Sequence, residues 1–422
     1  MMDLIVRNAK LRDGKVVDIG IKNGVIEKIG KVDEKGEIEI DASGKLVSPP
    51  FVDPHVHLDA VLTVGDPRYN MSGTLWEGIE IWSERKKKLS HEDVKKRAKE
   101  AIRWAAAQGV LKIRTHVDVC DPDLVALKAM LEVKEEVKDI VDLQIVAFPQ
   151  EGIVSFPDGE KLMRKALELG ADVVGGIPHY EFSREDGIES IDIIFSLAKE
   201  FDKDIDVHID ETDDDQSRFL EYLASKTIKE KYQGRVTASH TTAMHSYNNA
   251  YAFKLFGVLK KAKINIIANP LDNIALQGRF DNYPKRRGMT RVKELLEAGI
   301  NVGLGHDSVM DPWYPLGRYN MLQVAFVALN VAHMTGYEEM KRIFDAITYN
   351  SAKLMRMDDY GLEEGKKADL IVLNAKSDID AIRLMADVLY VIRNGKVIAR
   401  NTPASYELNG EKVTFEVPGI YE

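Results

Sequence analysis

The chain has 422 residues, 45% hydrophobic and 30% charged, with a formal net charge of −10, the balance of a globular protein with ample core. The acidic excess argues against nucleic acid, whose backbone takes clustered Lys and Arg, and no apolar run of about 18 residues argues for a membrane span. A single cysteine, Cys120, rules out an internal disulfide and fits a reducing cytoplasm.

The N-terminus, Met1-Met2-Asp3-Leu4-Ile5-Val6-Arg7, lacks the basic and long apolar regions of a signal peptide, so a cytoplasmic protein acting on a free small molecule is expected. Residues 1–50 then read as short strands with hairpin turns. The apolar stretch 4–8 is followed by Asp13-Gly14, and the alternating stretch 17–21 by Asn23-Gly24, both turn signals.

From 47 to 355 the pattern changes to short apolar strands alternating with amphipathic helices. Eight strands are expected near Phe51-Val52, Lys112-Ile113, Gln144-Ile145-Val146, Val173-Val174, Asp206-Val207, Val236-Thr237, Asn265-Ile266-Ile267 and Asn301-Val302. Helical periodicity falls between them, as at 92–107, 124–137 and 191–201. Ser90 with Asp93 marks a helix start, and Gly170 and Gly299 mark helix ends. Eight strand–helix units over about 300 residues imply an α/β fold closed as an (α/β)8 TIM-type barrel, with an open doubly wound sheet as the alternative. The last 55 or so residues return to strands at 368–373 and 388–393, then Asn394-Gly395 and Val397-Ile398. A small β-sandwich domain built from both termini, 1–50 and 365–422, is therefore expected around a catalytic barrel of 51–364.

Reactive residues of such barrels sit at the C-terminal strand ends. Strand one ends in Asp53-Pro54-His55-Val56-His57, strand five in His208-Ile209-Asp210-Glu211, strand six in Ser239-His240-Thr241, and strand eight in Gly305-His306-Asp307-Ser308. His55 and His57 share one side of their strand. With His208 and the Asp307 carboxylate they suit a divalent metal with an open position. Singly, each has a plainer reading, as an interior histidine or a helix cap; their convergence at one barrel mouth favours metal. His116, His179 and His306 read as pocket-shaping, His245 as a neighbour that supports the ligands from behind, and Asp213-Asp214-Asp215 as a solvated helix start or, being near Glu211, as part of the pocket. Strand four, Val173-Val174-Gly175-Gly176, lacks the lysine that bridges two metals in binuclear amidohydrolases, so one metal is expected.

Several runs together resemble bacterial cytosine deaminase of the amidohydrolase superfamily. They include Phe148-Pro149-Gln150-Glu151-Gly152, His208-Ile209-Asp210-Glu211, Ser239-His240-Thr241-Thr242, Leu276-Gln277-Gly278-Arg279-Phe280-Asp281 and Asp311-Pro312-Trp313-Tyr314-Pro315-Leu316-Gly317. The resemblance spans nearly the whole chain. His-x-His is common to the superfamily, whereas the first and last of these runs are far more specific. Deaminases that hold zinc through Pro-Cys-x-x-Cys are a different group, excluded by the lone cysteine.

The resemblance implies His55, His57, His208 and Asp307 as ligands of one divalent ion, iron(II) or zinc. It implies Glu211 as the acid that protonates the ring nitrogen and His240 as the group that orients the attacking water. Gln150 reads the ring carbonyl and the neighbouring N–H, and Trp313 lines the pocket. The metal lowers the pKa of water towards about 7, which provides hydroxide to attack the ring, and Asp307 takes the proton. The implied reaction converts cytosine to uracil and ammonia.

One position departs from the pattern. Cytosine-specific members usually carry a second aspartate where this chain has Ser308. The smaller, uncharged side chain predicts tolerance of 5-substituted pyrimidines, unless Ser308 merely caps a following helix. Isoguanine and creatinine are the alternative substrates. The native metal, the substrate among these rings and any homo-oligomer are left open by the sequence.

Overall fold

The computed structural model describes residues 1–417 and 419–421; Pro418 and Glu422, within the expected segment 365–422, lie outside the described residues. The first four strands are β1 (Met2–Lys10), β2 (Val16–Lys22), β3 (Val25–Gly30) and β4 (Gly36–Asp41). They form a sheet in the order β3-β2-β1-β4, with β4 parallel to β1. β1 is longer than the expected stretch 4–8 because it continues through a register shift between Val6 and Ala9, where Asn8 takes a positive φ.

After β5 (Val47–Ser48) the barrel strands follow: β6 (Phe51–Val56), β7 (Val110–Asp118), β8 (Asp142–Phe148), β9 (Val173–Val174), β10 (Asp204–Ile209), β11 (Val236–His240), β12 (Asn265–Ala268) and β13 (Val302–Leu304). All eight lie at the expected positions and pair in parallel with their sequence neighbours. Helices alternate with them. Ser90 caps the helix His91–Ala107 through Asp93 N, and Gly170, at φ 118°, ends the helix Gly159–Leu169, as the sequence indicated. The molecule is thus an α/β (α/β)8 TIM-type barrel.

Barrel closure falls at the chemistry. β13 meets β6 where Asp307 N donates to the His55 carbonyl at 2.8 Å and His57 N to the Asp307 carbonyl at 3.0 Å. Below, the buried Asp53 carboxylate accepts from His306 N and His55 N at 3.0 and 3.2 Å.

The chain returns to strands at β14 (Leu370–Leu373), β15 (Val388–Arg393), β16 (Lys396–Arg400), β17 (Tyr406–Leu408) and β18 (Glu411–Val413). An antiparallel sheet runs β16-β15-β14-β5, and β17 pairs with β18 alone. Leu4, Val6, Ile19, Ile21, Ile40, Leu370, Val372 and Ile392 share a second apolar core drawn from both ends of the chain. Ion pairs tie this unit to the barrel: buried Lys112 of β7 pairs with buried Asp369 at 2.7 Å, and buried Arg393 with the partly exposed Asp142 at 2.7 Å. Among the described residues, no helix is long and apolar enough to cross a membrane.

Candidate metal centre and active site

His55 projects from β6, with His57 just past the strand's end; His208 lies on β10 and Asp307 just past β13. All four are buried. His57 Nε2 lies 3.1 Å from His208 Nε2, and Asp307 Oδ1 lies 3.4 Å from both His55 Nε2 and His57 Nε2. Donors about 2.1 Å from one tetrahedral ion stand about 3.4 Å apart, so the spacing matches a single cation.

Much of the hydrogen-bond and protonation pattern matches too, although at His57 the lowering by burial is outweighed by Asp307, which draws that imidazole above its ordinary value. Ser239 Oγ gives its proton to Asp206 Oδ1 at 2.8 Å and therefore accepts from His55 Nδ1 at 3.0 Å. The His55 Nε2 lone pair is left without a protein hydrogen-bond partner, the arrangement expected of a ligating imidazole. Burial, then neighbouring imidazoles, hold His208 well below its ordinary pKa, hence neutral. Burial pushes the Asp307 carboxyl upward, but the surrounding imidazoles outweigh that and hold it below the ordinary carboxylate range. These residues fit a divalent ion.

His116 lies beside the cluster, near both His55 and Asp206. Asp206 is already paired with Arg114 Nη1 at 2.9 Å, which disfavours a second cation there. At the end of β9 a Cβ on Gly175 would meet the Ala147 carbonyl at 2.5 Å, and one on Gly176 would overlap Ile194. That strand end has no room for a bridging lysine.

Every expected site residue except His55 lines one cavity: His57, Gln150, His208, Glu211, His240, Asp307, Ser308 and Trp313, with Leu75, Asp272 and Leu276. Its volume is about 20 Å³, room for about one water and far below the ~300–1,000 Å³ typical of ligand sites. Larger clefts, about 880 Å³ beside Val25 and Ile38 and about 450 Å³ beside Trp76 and Phe219, lack the imidazole cluster.

Glu211 Oε1 lies 3.3 Å from His240 Nδ1. Burial, then the charge of Asp307, pushes the Glu211 carboxyl well above the ordinary range, which favours its protonated form. His240 is held neutral, chiefly by burial. Asn273 Oδ1 accepts from Asn269 N at 3.1 Å, which turns its amide Nδ2 towards His240 Nδ1 at 3.0 Å. Nδ1 is therefore the acceptor and Nε2 carries the proton. Gln150 follows β8 and is buried, with no hydrogen-bond partner for its amide among the described residues. Trp313 is held by Asp311, which accepts from Trp313 N at 2.9 Å, and its ring lies 6.0 Å from that of His57.

Some readings change. Ser308 caps no helix: the next one, Met321–Val331, is capped by Asn320, and Ser308 Oγ donates instead to Asp272 at 2.7 Å. Asp213 is not simply solvated. It accepts from Gly278 N at 2.7 Å and from His245 at 3.1 Å. The helix Phe219–Lys229 is started by Asp210, which accepts from Phe219 N and Leu220 N at 3.0 and 2.9 Å.

A profile of the amidohydrolase family matches residues 39–399. The chain is 36% identical over 412 residues to N-isopropylammelide isopropyl amidohydrolase of Pseudomonas sp., covering 94% of this chain and 98% of that one. It is 30% identical over 377 residues to pterin deaminase of Rhizobium rhizogenes, covering 87% and 84%. A crystal structure of 5-methylcytosine deaminase from Klebsiella pneumoniae, liganded with 5-fluorocytosine, superposes with a TM-score of 0.93 at 49% identity, covering 96% of this chain and 99% of that one.

Proposed function

This chain belongs to the amidohydrolase family and is a metal-dependent hydrolase of C–N bonds, and on that premise we propose that it deaminates cytosine and its 5-substituted analogues to the corresponding uracils and ammonia. The observation that carries this reading is the cavity in which Gln150, Glu211, His240, Asp307 and Ser308 meet beside the imidazoles. The 49% identical 5-methylcytosine deaminase supports the choice of ring.

His55, His57, His208 and Asp307 would hold one divalent ion, iron(II) or zinc. Bound there, the ion supplies the Lewis acidity that makes water nucleophilic near neutral pH. Asp307, ionised, accepts a proton from the attacking water. His240, with its proton on Nε2, orients that water. Glu211, whose protonated form burial and Asp307 favour, donates to the ring nitrogen beside the attacked carbon, which makes that carbon more electrophilic. As the C–N bond breaks, the proton held by Asp307 passes to the leaving amino group, which departs as ammonia, and the hydroxyl proton left on the attacked carbon returns to Glu211 as the carbonyl forms. The Gln150 amide offers one donor face and one acceptor face to the lactam edge of the ring. Its burial makes a ring that lacks this edge costly to bind.

The test is ammonia release by metal-loaded protein from cytosine, 5-methylcytosine, 5-fluorocytosine, isoguanine, creatinine, pterin and N-isopropylammelide. The expected result is highest kcat/KM on the cytosines. Turnover confined to another ring overturns the proposal.

A further inference from the structure

The cavity holds a third carboxyl besides Glu211 and Asp307. Asp272 lies in the first turn of the helix Pro270–Leu276, just past β12, and is buried. Its Oδ2 accepts from Ser308 Oγ at 2.7 Å, and its Oδ1 is buried without a hydrogen-bond partner among the described residues. Both residues line the cavity. A serine hydroxyl has one proton; given to Asp272, it is not offered to a bound ring, and the hydroxyl is fixed rather than free to rotate.

Such a carboxyl is costly. Burying it half-satisfied loses free energy that an apolar side chain would not lose, and Leu271 and Leu276 on the same short helix are buried. A helix start does not require it, since Pro270 already occupies the first turn.

We infer that Asp272 determines substrate choice together with Ser308: by holding Ser308 Oγ it keeps the wall beside Asp307 drawn back, leaving space for a substituent on the pyrimidine carbon next to the amino-bearing one. This rests on the proposed deamination of pyrimidines. Asp272 acts through Ser308, as a positioning residue.

The test compares kcat/KM for 5-methylcytosine and for cytosine in wild type, Asp272→Asn, Asp272→Val, Ser308→Asp and the double variant Asp272→Val/Ser308→Asp. Asn keeps an acceptor for Ser308, so the ratio of the two values should stay within about twofold of wild type. Val releases the hydroxyl into the wall, and the ratio should fall about tenfold, through KM for 5-methylcytosine more than kcat. Ser308→Asp alone sets two carboxyls side by side in a buried wall, where they repel; activity on both rings should drop. Removing Asp272 in the double variant should recover activity on cytosine. Residues in contact couple in this way, whereas independent ones add. If Asn and Val leave the ratio alike, or the double variant equals the product of the singles, Asp272 has no such role. Wild-type protein that releases ammonia from neither pyrimidine overturns the proposed reaction and this inference with it. Active protein with uncoupled ratios overturns the inference alone.

Discussion

Glu211 is a proton donor by virtue of where it sits. Buried next to an ionised Asp307, its carboxyl cannot cheaply carry a second negative charge. Glu211→Gln keeps the size and the hydrogen-bonding but has no acidic proton to give. It should bind metal as wild type does, by elemental analysis, and lose about 10²-fold or more in kcat. Near-wild-type turnover would remove Glu211 from the mechanism. At this scale much is legible in the sequence, because the C-terminal strand ends bring chemistry together whatever the loops do. The site residues expected from the sequence follow strands one, three, five, six and eight, and none follows strand seven. Its end, Asn269-Pro270-Leu271-Asp272-Asn273, holds the two residues that fix Ser308 and the His240 tautomer. Those roles depend on partners from other strands, which no local pattern records.

Among the elements, the helix Leu75–Lys86 positions the pocket from above. Trp82 Nε1 donates to Asp118 at 2.9 Å, and Ser83 Oγ to Glu151 at 3.0 Å, next to Gln150. Gly78 of this helix packs on Trp313, and a Cβ there would overlap the ring atoms Cδ1 and Nε1. Gly→Ala in a helix ordinarily stabilises by about 0.5–1 kcal/mol. Here overpacking costs about 1–3 kcal/mol, so Gly78→Ala should lower the melting temperature and raise KM by displacing Trp313. A stabilised variant with unchanged KM contradicts this contact. The sequence reading did not single out this helix, whose apolar side chains give it no clean stripe. It also passed over β4, although Glu37-Ile38-Glu39-Ile40 alternates as a strand should. The acidic run at 213–215 leaves two readings open in the sequence, because charge alone does not distinguish a solvated helix start from a carboxylate that ties loops together.

The whole molecule is organised around the seam where its first and last barrel strands meet. His55, His57 and Asp307 exchange backbone hydrogen bonds across that seam, so closing the barrel also assembles most of the cation site. Barrel closure was legible from eight evenly alternating units. The pairing of the two termini was legible only as a likeness of style, since the shared core of Leu4, Ile21, Leu370 and Ile392 joins residues more than 300 positions apart. The most direct test of a one-metal deaminase is a titration of metal-free protein with iron(II) or zinc, following ammonia release from 5-methylcytosine at each step. Four converging donors and a glycine-filled fourth strand end call for activity that rises linearly and levels off at about one ion per chain. Activity that needs two ions per chain, or no ammonia at any loading, would contradict it.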